Sequence, residues 1–344
     1  MTNSSPLPQA PAATGSLDIG KQRSLQRVLS DDGLFHVLAI DHLSDFAELL
    51  SPDPSTVTFA DVVRAKDTVI RTAADSVSAV LLDSLYGGHL IHSGTLSRST
   101  GLMFSLEDED YSIPPGPRRT RLREGWTARQ AKLAGVDVAK LLWFFRPDAE
   151  TADDQLKLLD ELVGTSAELS LPLLVEPIWY PLPGEDPTTA EWKASRVRGI
   201  IESAVTADDY GVDVLKVEFP GYVDTPDGRA ASVDAVAELD ARTSAPWVVL
   251  SAGVGYEDFA TQIEIASAAG SSGYVAGRSI WRDALLTHDA TKQEAAIQEI
   301  KKRFDHLNEL TRQGGTPVPK SQPLDGLFRD LPEDWYHHWH ASSV

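Results

Sequence analysis

Cysteine is absent from the 344 residues. That excludes disulfides, thiolate metal sites, iron–sulfur clusters and a cysteine nucleophile, and it fits a reducing compartment such as the cytoplasm. Positive charge is scarce: 31 Lys and Arg stand against 51 Asp and Glu, a net charge of −20. Such a balance argues against nucleic acid or an anionic membrane as partner, while leaving room for a local cationic pocket. No apolar run approaches the ~18 residues of a membrane span. H-E-x-x-H, G-x-S-x-G and the P-loop are all missing. Of nine histidines only His89 and His92 have local ligand spacing. The cluster from His337 to His340 lies in an aromatic tail and reads as surface or packing. The expectation is therefore no metal and no cofactor.

What is present is enough apolar material for a core, with 42% hydrophobic and 8% aromatic residues. Residues 1–20 are rich in Ser, Pro, Ala and Thr and read as a disordered tail without a signal peptide. Then short apolar runs alternate with amphipathic stretches. The runs are Leu34–Ile40, Ser78–Leu82, Gly101–Leu106, Val138–Phe145, Leu171–Val175, Val212–Phe219, Pro246–Leu250 and Ser272–Ala276. Most are apolar on both faces, the mark of parallel strands covered by helices. Helical patterns fill gaps between them, including Phe59–Ala74, Arg121–Ala134, Ala152–Glu168, Trp192–Tyr210 and Tyr256–Ala269. Several stop at glycine, as Gly135, Gly211 and Gly270 do. Eight such units predict an α/β fold, a single-domain (β/α)8 TIM barrel over residues 21–310. An open doubly wound sheet would want a glycine-rich turn after the first strand, and Asp41-His42-Leu43-Ser44 stands there instead. Residues 311–344 read as a C-terminal extension packed on the barrel, with the stretch from Trp335 to Trp339 a possible homo-oligomer interface.

In such a barrel the chemistry sits at the C-terminal ends of the strands, so charges that interrupt the apolar runs are the candidates. Lys216 and Glu218 share strand parity and one face. Lys216 is either an ion-pair brace or a nucleophilic amine, since a lysine in an apolar pocket near other charges is a Schiff-base former. Lys140, on another apolar strand, is either its electrostatic neighbour and a hydroxyl ligand or a structural ion-pair partner. Glu176, Asp41 and Asp83 each close a strand. Glu176 and Asp41 are candidates for proton transfer, and Asp83 reads as a loop anchor. Strands seven and eight run into Ser251-Ala252-Gly253 and Gly277-Arg278. Glycine-freed N–H groups and a guanidinium there form a candidate phosphate site. Acidic stretches such as residues 107–110 and 148–154 read as solvated outer loops.

The segments Gly101–Tyr111, Ala139–Phe145, Leu174–Pro177, Asp213–Glu218, Leu250–Val254 and Ala276–Trp281 follow a familiar order and spacing. With them the chain resembles the class I tagatose 1,6-bisphosphate aldolases, a family that also includes the sulfofructosephosphate aldolases. The resemblance implies a metal-free barrel that cleaves a phosphorylated ketose to dihydroxyacetone phosphate and an aldehyde by Schiff-base chemistry. It implies Lys216 as the Schiff-base lysine, Glu176 as the proton-transfer carboxylate, and Lys140 and Asp41 as active-site residues. Ser251, Gly253, Gly277 and Arg278 match the phosphate-holding groups. The partner so implied is a small phosphorylated sugar. Three departures stand out, one of them the aromatic, proline-rich loop from Pro177 to Pro183 after Glu176. The family's Asp-Gln-Arg-Gly after the first strand reads Asp41-His42-Leu43-Ser44, and its paired tyrosines on the fourth strand are replaced by Trp143, Phe144 and Phe145. The altered Asp41-His42 loop leaves sulfofructose phosphate or a deoxy-keto sugar-acid phosphate open as substrates. A metal-dependent aldolase and a non-catalytic phosphosugar-binding barrel are the remaining alternatives.

Overall fold

The computed structural model describes residues 18–43, 46–108, 116–287 and 289–318. Eight parallel strands close into a barrel in chain order: β1 Phe35–Ala39, β2 Ala79–Leu82, β3 Gly101–Ser105, β4 Val138–Phe144, β5 Leu173–Ile178, β6 Val214–Glu218, β7 Trp247–Leu250 and β8 Gly273–Ala276. The eight predicted runs are the eight strands. The apolar layer inside the barrel includes Val37, Ala79, Met103, Val138, Leu174, Val214, Val248 and Val275. Outward-facing strand residues such as Leu141, Val175, Leu215 and Val249 form the larger core beneath the helices. That division explains why these runs are apolar on both faces.

One strand runs longer than its sequence suggested. β5 continues through Glu176, Pro177 and Ile178, which pair in register with Leu142, Trp143 and Phe144 of β4. Glu176 is thus inside the strand rather than closing it, at a barrel-facing position.

The helices are α1 Ile19–Val28, α2 Phe46–Leu50, α3 Phe59–Ala73, α4 Gly87–His92, α5 Ala128–Leu133, α6 Ala152–Leu169, α7 Ala190–Asp209, α8 Pro226–Arg242, α9 Tyr256–Ala269, α10 Arg278–Leu286 and α11 Ala290–Gly314. Helix α1 begins inside the predicted tail, because Asp18 caps it by accepting from the Lys21 N–H. It buries Leu25 and Val28 against the apolar layer inside the barrel, with Lys21 paired to Asp213 at 2.8 Å. The predicted helix Arg121–Ala134 shrinks to α5. A capping box between Thr127 and Gln130 starts the helix late. The preceding Arg121–Arg123 segment instead pairs with the chain after β3: Leu122 bridges Glu107, and the Arg123 N–H donates to the Leu106 carbonyl at 2.9 Å. Gly270 ends α9 at φ 126°, and a methyl there would meet Asp240 at 2.2 Å, so only glycine fits this stop. After α11, Thr316 and Val318 hydrogen-bond to Ser271 and Gly33, carrying the chain across the N-terminal end of the barrel. The aromatic tail beyond, with the His337–His340 cluster, lies outside the described residues.

Candidate active site

The site follows from strand periodicity. Val138, Leu174 and Val214 belong to the apolar layer inside the barrel. Two residues further along each strand, on the same face, come Lys140, Glu176 and Lys216. All three are at least 95% buried, where an unpaired charge would be costly. They compensate one another. Lys216 Nζ donates to Glu176 Oε2 at 2.8 Å, and Lys140 Nζ stands 3.0 Å from the same oxygen. Lys140 also donates to Asp41 Oδ2 at 3.1 Å and to Glu107 Oε1. Lys140 is thus surrounded by three carboxylates, whereas Lys216 shares one. The more heavily paired amine is the better brace, and the other is better placed to react.

Burial pushes the Asp41 carboxyl up, but the Lys140 and Lys216 ammoniums outweigh it and hold the group well below the usual carboxylate range. The Glu107 carboxyl goes the other way. Burial raises it, the charge on Asp41 adds to the rise, and Lys140 only partly offsets them. Glu107 contradicts the surface reading of residues 107–110, since only 3% of it is exposed. The bridge to Leu122 carries the chain beyond β3 in an extended form and turns this side chain inward.

Above these groups a cavity of about 190 Å³ opens at the C-terminal mouth of the barrel. Its lining includes Asp41, Lys140, Glu176 and Lys216 together with Ser251, Gly253, Gly277 and Arg278. All eight predicted site residues therefore converge on one space. Ala252 and Gly253 are consecutive left-handed residues, φ 46° and 74°, a turn that glycine eases at the second position. A methyl on Gly253 would lie 3.9 Å from the Arg278 guanidinium. Helices α9 and α10 start just after these loops, with Gly255 and Gly277 as caps that contribute no side-chain bond. Their first-turn N–H groups suit an anion. Ser279 Oγ donates to the Val254 carbonyl at 2.6 Å and ties the two loops together.

Glu218 also lines the cavity but is turned to Arg196 at 2.8 Å, and it accepts from the Trp179 N–H. Asp83 is the loop anchor it was expected to be, capping the Leu85 and Tyr86 N–H groups at 2.8 and 2.7 Å. Its partner was missed. Lys66, on the inner face of α3 and fully buried, bonds Asp83 at 2.5 Å and donates to the Ile40 and His42 carbonyls at 2.9 and 2.8 Å. It thereby fixes the chain that carries Asp41 and His42. A lysine among Val62, Val69 and Ile70 on a buried helix face was the available signal.

Comparison with known proteins follows the same direction. The profile of the DeoC/LacD family aldolases matches residues 38–283. Tagatose 1,6-diphosphate aldolase 1 of Enterococcus faecalis is 27% identical over 316 residues, covering 87% of this chain and 96% of that protein. The tagatose 1,6-diphosphate aldolase of Listeria monocytogenes is 28% identical over 324 residues, covering 87% and 93%. Among solved structures, an archaeal fructose 1,6-bisphosphate aldolase superposes with a TM-score of 0.61 at 17% identity, covering 86% of this chain and all of the other. A Schiff-base-forming fructose-1,6-bisphosphate aldolase does so with 0.56 at 16%, covering 85% and 99%. At these identities the two structures speak to the fold alone.

Proposed function

The chain belongs to the DeoC/LacD family of aldolases, carbon–carbon lyases, and from that premise we propose that it is a class I enzyme cleaving a phosphorylated ketose of the tagatose 1,6-bisphosphate kind. The products are dihydroxyacetone phosphate and an aldehyde such as glyceraldehyde 3-phosphate. The observation that carries this reading is the Lys216–Glu176 contact of 2.8 Å at the mouth of the barrel, beside the two glycine loops.

Glu176 takes a proton from Lys216, and the free amine attacks the C2 carbonyl of the ketose, its second proton passing to the carbonyl oxygen. The carbinolamine loses water to give a protonated imine, with Glu176 returning the proton that the departing hydroxyl needs. Glu176 then takes the proton of the C4 hydroxyl. The C3–C4 bond breaks, its electron pair moves into the imine to form an enamine, and the C4 oxygen becomes the aldehyde carbonyl. Protonation of the enamine at C3 and hydrolysis by water free dihydroxyacetone phosphate and restore Lys216. Lys140 keeps Glu176 and Asp41 in place and, with Asp41, orients the hydroxyls. Arg278 and the N–H groups of the two loops hold the phosphate, which positions the reacting carbon over Lys216.

Borohydride reduction with a panel of ketose phosphates, followed by mass spectrometry and peptide mapping, tests the proposal. Tagatose bisphosphate, sulfofructose phosphate and a deoxy-keto sugar-acid phosphate belong in that panel. An adduct of dihydroxyacetone phosphate mass on Lys216, lost in Lys216→Met, is the expected result. Cleavage by Lys216→Met at the wild-type rate would overturn it.

A further inference from the structure

His42 follows Asp41 at the mouth of β1 and forms part of the cavity wall. Its position is held from three directions. Lys66 binds its carbonyl at 2.8 Å, Trp281 packs edge-on with ring centroids 5.2 Å apart, and Gly277 gives it room. A methyl on Gly277 would come within 3.0 Å of His42 Cε1.

The two ring nitrogens differ. Nδ1 is enclosed by protein and makes no hydrogen bond among the described residues, while Asp41 Oδ1 stands 3.9 Å from it. A carboxylate on that side favours the tautomer with the proton on Nδ1. The lone pair is then on Nε2, and because Nδ1 is enclosed, Nε2 is the nitrogen that a cavity ligand can meet. Burial, reinforced by the positive charges of Arg278, Lys66 and Lys216, lowers the ring to about 3 despite the Asp41 charge, so it stays neutral at ordinary pH. The wall thus carries a fixed acceptor that has no proton to donate.

We propose that His42 Nε2 is a specificity-determining acceptor for the C3 hydroxyl of the ketose phosphate, the hydroxyl retained in dihydroxyacetone phosphate. The inference rests on the aldolase reading above. With the phosphate at the Ser251–Gly253 and Gly277–Arg278 loops and C2 on Lys216, the third carbon of the retained fragment points away from the phosphate and meets the β1 mouth, where Asp41 shares Lys140 with Glu176, the partner of Lys216, at 3.1 and 3.0 Å. Asp41 and His42 meet it there. A hydroxyl can donate to Nε2. A methyl group leaves that acceptor unmet, and an oxyanion brings no proton to it. A site built around one hydroxyl therefore rejects the analogue that lacks it.

The test is aldol addition to glyceraldehyde 3-phosphate by the full-length enzyme, with dihydroxyacetone phosphate or acetol phosphate as donor. Acetol phosphate is the same molecule with a methyl group in place of the hydroxymethyl. The wild type is expected to prefer the hydroxylated donor by about a hundredfold or more in kcat/KM. His42→Leu should cut that preference at least tenfold, and His42→Gln, whose amide oxygen can accept, should keep most of it. Use of both donors within fivefold by the wild type, or an undiminished preference in His42→Leu, overturns the inference. Should the leucine variant fail to fold, His42→Phe, which fills the site without an acceptor, takes its place under the same criterion. Borohydride trapping with each donor separates the two levels. Trapping of both donors without a preference sinks this inference only, whereas trapping of neither sinks the aldolase reading and this inference with it.

Discussion

Lys216 and Lys140 converge on a single oxygen, Glu176 Oε2, at 2.8 and 3.0 Å. Two ammoniums that share one carboxylate oxygen repel each other, and the further contacts of Lys140 with Asp41 and Glu107 keep its charge compensated. The arrangement separates the roles of two chemically identical side chains. One is fastened by three carboxylates, and the other contacts Glu176.

Glu176→Gln separates imine formation from bond cleavage. The amide still packs against Lys216 but cannot take the C4 hydroxyl proton. Imine formation should slow, because Glu176 also protonates the departing hydroxyl, yet borohydride should still trap Lys216 on long incubation, while cleavage falls further, by about 10²- to 10⁴-fold, the usual worth of a positioned general base. Cleavage within tenfold of wild type would remove Glu176 from the mechanism.

Lys66→Met tests the support of the β1 mouth. The variant leaves Asp83 buried without its partner and frees the Ile40 and His42 carbonyls. Removing one member of a buried pair costs about 3–5 kcal/mol. Adding Asp83→Asn removes the stranded charge, and the amide oxygen can still accept from the Leu85 and Tyr86 N–H groups, so part of the loss should return. Urea unfolding of the two variants measures both effects, and a loss below about 1 kcal/mol in the single variant would refute the assignment.

The barrel was legible because its strands are buried on both faces. Runs such as Val138–Phe145 carry almost no polar residue, so Lys140 and Lys216 stood out as costly interruptions with a reason to exist. Glu107 did not stand out. It opens a run of four acidic residues, and the property that turns it inward is a bridge to Leu122, fifteen residues away. Lys66 was hidden for a similar reason. A single lysine on an amphipathic helix is ordinary, and its burial depends on Asp83 and two carbonyls supplied by other segments. Glu176 lines the cavity as expected, but inside the strand rather than at its end. A proline after an apolar run reads as a strand end, yet Pro177 is tolerated in β5, where pairing with β4 continues to Ile178.

Acid stability should carry the signature of two histidines buried in the neutral state. Burial, with help from Arg312, lowers His36 to about 4, and burial lowers His42 to about 3. In the unfolded chain both titrate near 6.5. Their contribution is therefore complete above about pH 6.5 and is lost as pH falls toward the folded values, because the unfolded state binds the extra protons. Asp41 has the same sign at lower pH: its carboxyl is depressed, so its contribution is present above about pH 4 and lost below. Between pH 6 and 4.5 each histidine should add a slope of about 1.4 kcal/mol per pH unit. His42→Gln should remove one such increment from unfolding free energies measured across that range, and an unchanged slope would show that His42 is not held neutral.

The phosphate reading depends on Arg278. Its guanidinium packs beside Gly253 and lines the cavity with both loops. Loss of a charge-assisted hydrogen bond of about 1.5–3 kcal/mol corresponds to about ten- to a hundredfold in affinity. Arg278→Ala should therefore raise KM for a ketose phosphate by that factor and weaken competitive inhibition by inorganic phosphate in parallel. Arg278→Lys should fall between, since lysine restores the charge without the planar fork. Gly253→Ala should act on the same two quantities through the left-handed backbone at φ 74°, which costs a non-glycine residue about 1 kcal/mol. A ketose phosphate KM and a phosphate inhibition constant that both stay at wild-type values in Arg278→Ala would move the phosphate away from these loops. The substrate would then have to reach Lys216 in a different orientation.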